Sequence, residues 1–147
     1  MTSRLGDTRT WVSAQVALDG TADVAVFTPG RPIRLRRFGY IWNAATVTAP
    51  ENLDIDLDKR VTIGSDTGRT AAIATIAGAA GEAQGDGAYT RVGAAAGGDV
   101  DIDADEEIVV QTAVGATAGD GYVFIEYEEL PFSGGSAYLG DLTDRDA

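Results

Sequence analysis

Two strand-like runs separated by a glycine-rich connection constrain the fold of this chain more than any other stretch. In residues 107–114, Ile108, Val110, Thr112 and Val114 fall on one side of an alternating pattern, and residues 122–130 are rich in aromatic and β-branched residues. Between them, residues 115–121 read GATAGDG and contain the Asp-Gly pair that favours tight hairpin turns. Pro131 has no N–H group to donate to a sheet ladder, so we expect the second run to end before it. The stretch predicts a β-hairpin and a chain built mainly of strands.

Shorter strand patterns fill much of the chain that precedes this hairpin. We predict strands at residues 11–18, 23–28, 33–43, 53–58 and 88–92. Within residues 33–43 the alternation changes phase at Arg36 and Arg37, which indicates a β-bulge. The alanine-rich residues 71–80 are interpreted as one short helix. Because 147 residues fit one domain, these patterns together predict a single all-β domain.

The net charge of −12 limits the partners that the chain can bind. Proteins that bind nucleic acid neutralise its phosphates with Lys and Arg, and anionic membranes attract basic segments. We therefore expect neither nucleic-acid nor membrane binding. No apolar run approaches the ~18 residues of a membrane span, and residues 1–10 lack the apolar region of a secretory signal. We expect the protein to fold in a cytoplasm.

The residue types that carry most enzymatic catalysis are missing. The chain has no His and no Cys, which excludes a Ser–His–acid triad and a thiolate nucleophile. It contains no phosphate-binding P-loop and no dinucleotide fingerprint in a strand–helix context. Carboxylates spread over predicted turns do not make the facing pair that glycoside hydrolysis needs. We expect no enzymatic activity and no cofactor.

An acidic stretch near the hairpin raises the question of calcium. Asp99, Asp101 and Asp103 match the first, third and fifth positions of a calcium-binding loop. The sixth position requires Gly and the twelfth a bidentate Glu, but Ala104 and Val110 stand there. The helix–loop–helix site is therefore excluded, and we predict no metal site. An irregular site made of oxygen ligands stays open as an alternative to a solvated acidic strand.

Four arginines lie close together in an otherwise acidic chain. They are Arg31, Arg34, Arg36 and Arg37. Guanidinium groups pair well with carboxylates, so this cluster can bind an acidic partner or a neighbouring subunit. The same arginines can instead balance the charge of the chain's own Asp-rich strands. Both interpretations stay open, and we name the four as candidate partner-binding residues.

Three aromatic residues share one parity of the same predicted strand. Phe38, Tyr40 and Trp42 would form either part of the core or an aromatic platform for a sugar. We predict core.

The two ends of the chain differ in composition from the middle. Residues 1–10 are polar, and residues 132–147 contain Gly, Ser and Asp with isolated Phe132, Tyr138 and Leu142. Such segments order on a neighbouring molecule rather than on their own. We predict an N-terminal arm at 1–10, a β-sandwich domain at 11–131 and a C-terminal arm at 132–147. The three apolar residues of the last arm are further candidate partner-binding residues.

Three stretches stand out as a set. They are PIRLRRFGYIWN at residues 32–43, DADEEIVVQTAV at residues 103–114 and GDGYVFIEYEELP at residues 119–131. In a small acidic chain this set resembles the decoration (cement) proteins of tailed-bacteriophage capsids, loosely and over residues 11–131. The resemblance implies an antiparallel, jelly-roll-like β-sandwich with extended terminal arms.

The resemblance also implies a function. A decoration protein is made in the host cytoplasm and sits on the capsid surface of the virion, often as a homotrimer. There it binds the major capsid protein and stabilises contacts between its subunits. The terminal arms, with the arginine cluster, would make these contacts.

Two alternatives remain. One is another virion part, such as a tail-tube, connector or fibre subunit. The other is a carbohydrate-binding β-sandwich that uses Trp42 or Trp11 together with calcium.

Overall fold

A computed structural model, described here for residues 7–93 and 98–131, shows a sandwich of two antiparallel sheets. The strands are β1 (Thr8–Val12), β2 (Val16–Ala17), β3 (Ala22–Phe27), β4 (Ile33–Trp42), β5 (Asp54–Arg60), β6 (Thr70–Ala77), β7 (Gly87–Arg91), β8 (Asp101–Ile102), β9 (Glu107–Val114) and β10 (Asp120–Glu129). A single 3₁₀ turn at Pro50–Asn52 precedes β5. The prediction of an all-β, antiparallel sandwich is confirmed.

The strand order is that of a jelly roll. Sheet I has the order β1-β10-β4-β7, with the short β2 beside β10 and the short β8 beside β4. Sheet II has the order β3-β9-β5-β6. If the two short strands are set aside, the eight long strands are ordered 1-8-3-6 and 2-7-4-5, which is the double Greek key of a jelly roll.

The β-hairpin predicted at residues 107–130 is wrong, although both of its strands exist. β9 belongs to sheet II and β10 to sheet I, so the connection between them crosses from one sheet to the other. The Ala116 N–H donates to the Leu18 carbonyl, and the Thr117 N–H donates to the Thr48 carbonyl. The connection is therefore held by two other loops, and its residues 115–119 pass between the sheets instead of forming a tight turn.

The short helix predicted at residues 71–80 is also wrong. Residues of this run form β6, an edge strand that pairs with β5 and places Ile76 opposite Ile55. Ile76 is buried in the core. Pairing with the free edge of β5 and burial of this side chain outweigh the helix propensity of the alanines, because tertiary context routinely overrides propensity.

The core lies between the sheets and confirms two predictions for β4. Phe38, Tyr40 and Trp42 are fully buried, so they are core residues and the sugar platform proposed for Trp42 is wrong. On β10, Glu126 pairs with Arg37 and the next residue, Tyr127, pairs with Leu35, which leaves Arg36 as the extra residue of a bulge. This bulge lets both parities of β4 contribute to one core.

The terminal arms stay predictions. Residues 1–6 and 132–147, including Phe132, Tyr138 and Leu142, lie outside the described residues. β1 begins at Thr8, three residues before the predicted start of the sandwich domain, and pairs with β10.

Candidate functional site

The outer face of sheet I carries an exposed apolar row that crosses four strands. Val12 pairs with Phe124, Phe124 with Gly39, and Gly39 with Tyr89, so these residues are direct neighbours on β1, β10, β4 and β7. Val12 is 55% exposed and Tyr89 58% exposed. On the next row of the same face, Ile41 is 44% exposed. We call this surface the apolar half of the face.

Gly39 makes the centre of this row flat. A Cβ at this position would lie 2.7 Å from Cζ of Phe124 and 2.8 Å from Cβ of Tyr89, and closer still to the backbone oxygen of Ala88. The Phe124 ring therefore lies over the glycine, in the space that a side chain would take. A flat, aromatic surface of this kind suits face-to-face packing against another sheet.

The other half of the same face is charged, and it holds three of the four arginines predicted to bind a partner. Arg37 lies opposite Glu126 on β10, at 3.2 Å between Nε and Oε2, and its guanidinium sits 5.1 Å from the centre of the Tyr89 ring. Arg36 contacts Glu128 at 2.5 Å. Opposite charges on neighbouring strands support the sheet, by about 0.2–1 kcal/mol each.

Arg34 occupies the end of this charged half. Its Nε and Nη2 bind the two oxygens of Asp101 at 2.8 and 3.0 Å, and its Nη1 lies 3.0 Å from Asp99. Both carboxylates therefore already have a cation as partner. The structure gives no support to the alternative of a calcium site at Asp99, Asp101 and Asp103, and the described residues hold no group of three or more acidic side chains placed to bind a metal ion.

Arg31 lies apart from the other three arginines. Its Nη1 contacts Glu129 at 3.1 Å, and Arg9 of β1 contacts the same carboxylate at 3.4 Å. All four arginines of the cluster therefore have a carboxylate partner within the chain, as the charge-balance interpretation expects. Their side chains stay 29–42% exposed, and binding of a partner by the cluster remains a prediction.

Arg91 is the exception on the charged half. Among the cations of residues 7–93 and 98–131, it alone forms no ion pair within the chain. It lines a cleft of about 650 Å³ whose other polar side chains include Thr8, Arg36, Arg37 and Glu126. Sequence patterns did not single out Arg91, because only the strand pairing brings it beside Arg37.

Sheet II presents a different outer face, which is acidic. Asp23, Asp56 and Gln111 are neighbours across β3, β5 and β9. Burial raises the pKa of the Asp56 carboxyl, and repulsion from Asp54 and Asp58 raises it further. One oxygen of Asp56 is buried without a hydrogen-bond partner. In this row of residues, Asp56 is the carboxylate that has no cation as partner.

The far end of that acidic face is covered by residues 61–69 and held by a network of ion pairs. Its members are Asp23, Asp58, Asp66 and Glu107 with Arg60 and Arg69. Sequence reasoning missed this network, because Asp58 alternates with apolar residues just as its more exposed neighbours do.

In the described part of the chain, no helix is long and apolar enough to cross a membrane.

Comparison with known proteins identifies the fold and no family. No family model and no curated protein sequence matches the chain. Among solved structures, the chain is similar to a chain from the capsid of Ralstonia phage GP4, with 13% identity, a TM-score of 0.51, and coverage of 88% of this chain and 89% of that one. It also matches the K1 cleaved adhesin domain of Lys-gingipain from Porphyromonas gingivalis W83, with 9% identity, a TM-score of 0.42, and coverage of 82% and 63%. At such identities the likeness is one of fold.

Proposed function

We propose that this chain is a structural protein of a virion and that it decorates the outside of a tailed-phage head. The observation that carries the proposal is its likeness to a chain of the Ralstonia phage GP4 capsid, which extends over nearly the whole length of both chains. The three stretches that resemble decoration proteins form β4, β9 and β10, three of the four central strands of the two sheets. In this role the chain binds the major capsid protein and stabilises contacts between its subunits.

The proposed mechanism is mechanical and needs no catalysis. A protein that binds the assembled shell and not its separate subunits stabilises the shell by mass action. Contacts that are weak singly act together when they repeat over a lattice. The chain has no His and no Cys, and the carboxylates of Asp58, Asp101 and Glu107 are each bound by arginine. We therefore propose that the chain is not an enzyme.

The contacts with the shell are assigned to the terminal arms and the arginine cluster. Phe132, Tyr138 and Leu142 supply apolar side chains that the C-terminal arm can bury on a neighbour. Arg34, Arg36 and Arg37 stay partly exposed and can share their guanidinium groups between internal and external carboxylates.

Immunogold electron microscopy tests the location. Antibodies against the purified chain are applied to particles from the lysate of cells in which the chain is made. Gold on the outside of heads is the expected result. Gold confined to tails or to the head–tail junction would contradict decoration and support the alternative of a tail-tube, connector or fibre subunit. Intact particles without gold would contradict a virion role.

A heat-release assay tests the stabilising role. Heads from a virus with an early stop codon in this gene should release DNA at a lower temperature than complete heads, and purified full-length chain should restore the difference. A chain that ends at Pro131 is the matched variant: it keeps the ten strands of the described residues but should fail to restore stability. Equal heat release with and without the chain would contradict the cementing role.

A further inference from the structure

The rows of residues on the outer face of sheet I are self-complementary. If a row is laid over a second copy of itself in the opposite order, the facing residues complement each other. Across β1, β10, β4 and β7, the apolar row is Val12, Phe124, Gly39, Tyr89. The neighbouring charged row is Thr10, Glu126, Arg37, Arg91. When the apolar row is reversed, Tyr89 lies opposite Val12 and Phe124 opposite Gly39, a large side chain against a smaller one each time. When the charged row is reversed, the basic Arg37 lies opposite the acidic Glu126, and Arg91 lies opposite the polar Thr10.

We infer that this face joins two copies of the chain face to face, about a twofold axis that runs along the strands between β10 and β4. Such an axis lays β4 of one copy over β10 of the other, and β7 over β1. It therefore brings Arg37 of each copy to Glu126 of the other, and Tyr89 of each copy to Val12 of the other. An isologous contact requires this kind of self-complementary patch.

Charge supports a second copy as the occupant of this face. Within one chain Arg37 and Glu126 already lie 3.2 Å apart, so two such pairs at the axis form a ring of alternating charge. Arg91, which has no ion pair in residues 7–93 and 98–131, comes to the β1 edge of the partner, near Thr10. On the apolar half, burial of Ile41 and Tyr89, which are 44% and 58% exposed, drives the association.

The size of the face predicts a weak dimer. Four strands ~4.8 Å apart and three to four rows ~6.8 Å apart give roughly 400 Å² on each copy, about half of the ~800 Å² per partner of a standard interface. Each copy also carries a net charge of −12, which opposes association until salt screens it. Dimer formation should therefore depend on concentration and increase with salt.

Sedimentation equilibrium of the full-length chain in concentrated salt is the first test. The expected result is a reversible equilibrium between the 15.2 kDa monomer and a species of twice that mass. A monomer at every concentration would overturn the inference. This inference does not depend on capsid decoration, because it is tested on the isolated protein and the immunogold experiment is independent of it.

Two isoleucines of similar exposure provide a matched pair of variants. Ile41→Lys places a charge in the apolar half and should abolish the dimer. Ile63→Lys changes a residue that is 50% exposed in the segment covering sheet II, and it should leave the dimer unchanged. Circular dichroism confirms that both variants fold. A dimer or a trimer that is equally insensitive to both variants would place the interface elsewhere and overturn the inference.

Charge reversal at the axis tests the geometry itself. Arg37→Glu alone and Glu126→Arg alone set like charges against each other, and each should weaken the dimer by about tenfold or more, because like-charge juxtaposition is costly at an interface. The double variant restores the alternation and should recover the dimer to within about threefold of the original, since pairwise coupling is what such a cycle measures. Failure of the double variant to recover, while it remains folded, would overturn the twofold arrangement.

Discussion

The carboxylate of Asp58 is 1% exposed and is bound by Arg69 from across the outer face of sheet II. Nε and Nη2 of Arg69 lie 2.8 and 2.7 Å from one oxygen of Asp58, and the Ala72 N–H donates to the other oxygen at 2.7 Å. Arg69 also contacts Asp23 on β3 at 2.7 Å. One guanidinium thereby connects two strands of sheet II that are not neighbours, and it holds the end of residues 61–69 against the sheet.

Arg69→Ala should be among the most destabilising single substitutions of a charged residue. It leaves the buried Asp58 carboxylate without its cation, and loss of one partner of a buried ion pair costs about 3–5 kcal/mol. Urea denaturation measures the loss in the free energy of unfolding. Arg34→Ala is the control: its pair with Asp101 lies at the surface and is screened by solvent, so its loss should cost much less than that of Arg69→Ala. Equal losses for the two variants would show that the Asp58 site is solvated.

Acid should unfold the protein partly through Glu107. Burial alone would raise the pKa of this carboxyl, but hydrogen bonds from the Gly64 N–H, the Arg60 guanidinium and the Thr28 hydroxyl outweigh burial and lower it. A folded-state pKa below the unfolded value gives stability that is present at neutral pH and is lost as pH falls below ~4. Glu107→Gln should therefore be less stable at pH ~7 but show a shallower fall toward pH ~3 in urea titrations. Parallel pH profiles for the two proteins would contradict this role.

Asp56 should have the opposite effect. Burial raises the pKa of its carboxyl, and the charges of Asp54 and Asp58 add to that shift. Because the charged form is disfavoured in the folded state, the penalty is present at neutral pH and disappears once the carboxyl is protonated in both states, below ~pH 4. Asp56→Asn should stabilise the protein by up to ~1 kcal/mol at pH 7 and low salt. Asp19→Asn, in an exposed turn, is the control for general charge reduction, and an equal gain there would contradict the local explanation.

Alternation of residue types along single strands was enough to predict much of the fold. It gave the core residues of β4 and its bulge at Arg36, because burial on one face is a property of the strand itself. It did not give the partner of each strand. Residues 107–114 and 122–130 have the composition of a hairpin. In the structure they lie in opposite sheets, and each strand buries its apolar side chains in the core between those sheets. Pairing of consecutive strands is a tertiary property, and the Asp-Gly pair was not sufficient to specify it.

The self-complementary face could not be predicted from the sequence, for a related reason. Val12, Gly39, Tyr89 and Phe124 come from four strands that span most of the chain, and only the jelly-roll order places them in one row. Each is unremarkable in its own strand, where it occupies the side opposite the core. The arginine cluster was detectable because Arg34, Arg36 and Arg37 are close in sequence, but their carboxylate partners on β8 and β10 were not.

Gly39→Ala should disrupt the centre of sheet I. The added Cβ would contact the ring of Phe124, which can rotate away, but also the backbone oxygen of Ala88 and Cβ of Tyr89, which are fixed by the pairing of β7 with β4. Relief of these contacts requires β7 to move, so we expect a loss of about 1–3 kcal/mol, the scale of overpacking in a well-packed sheet. Gly20→Ala is the matched control, because nothing lies within 4 Å of a Cβ there, and it should be neutral or slightly stabilising. Thermal unfolding of both variants measures the difference. If Gly39→Ala is as stable as Gly20→Ala, then β7 is not held against β4 as the register indicates, and the row that ends at Tyr89 is not a rigid surface.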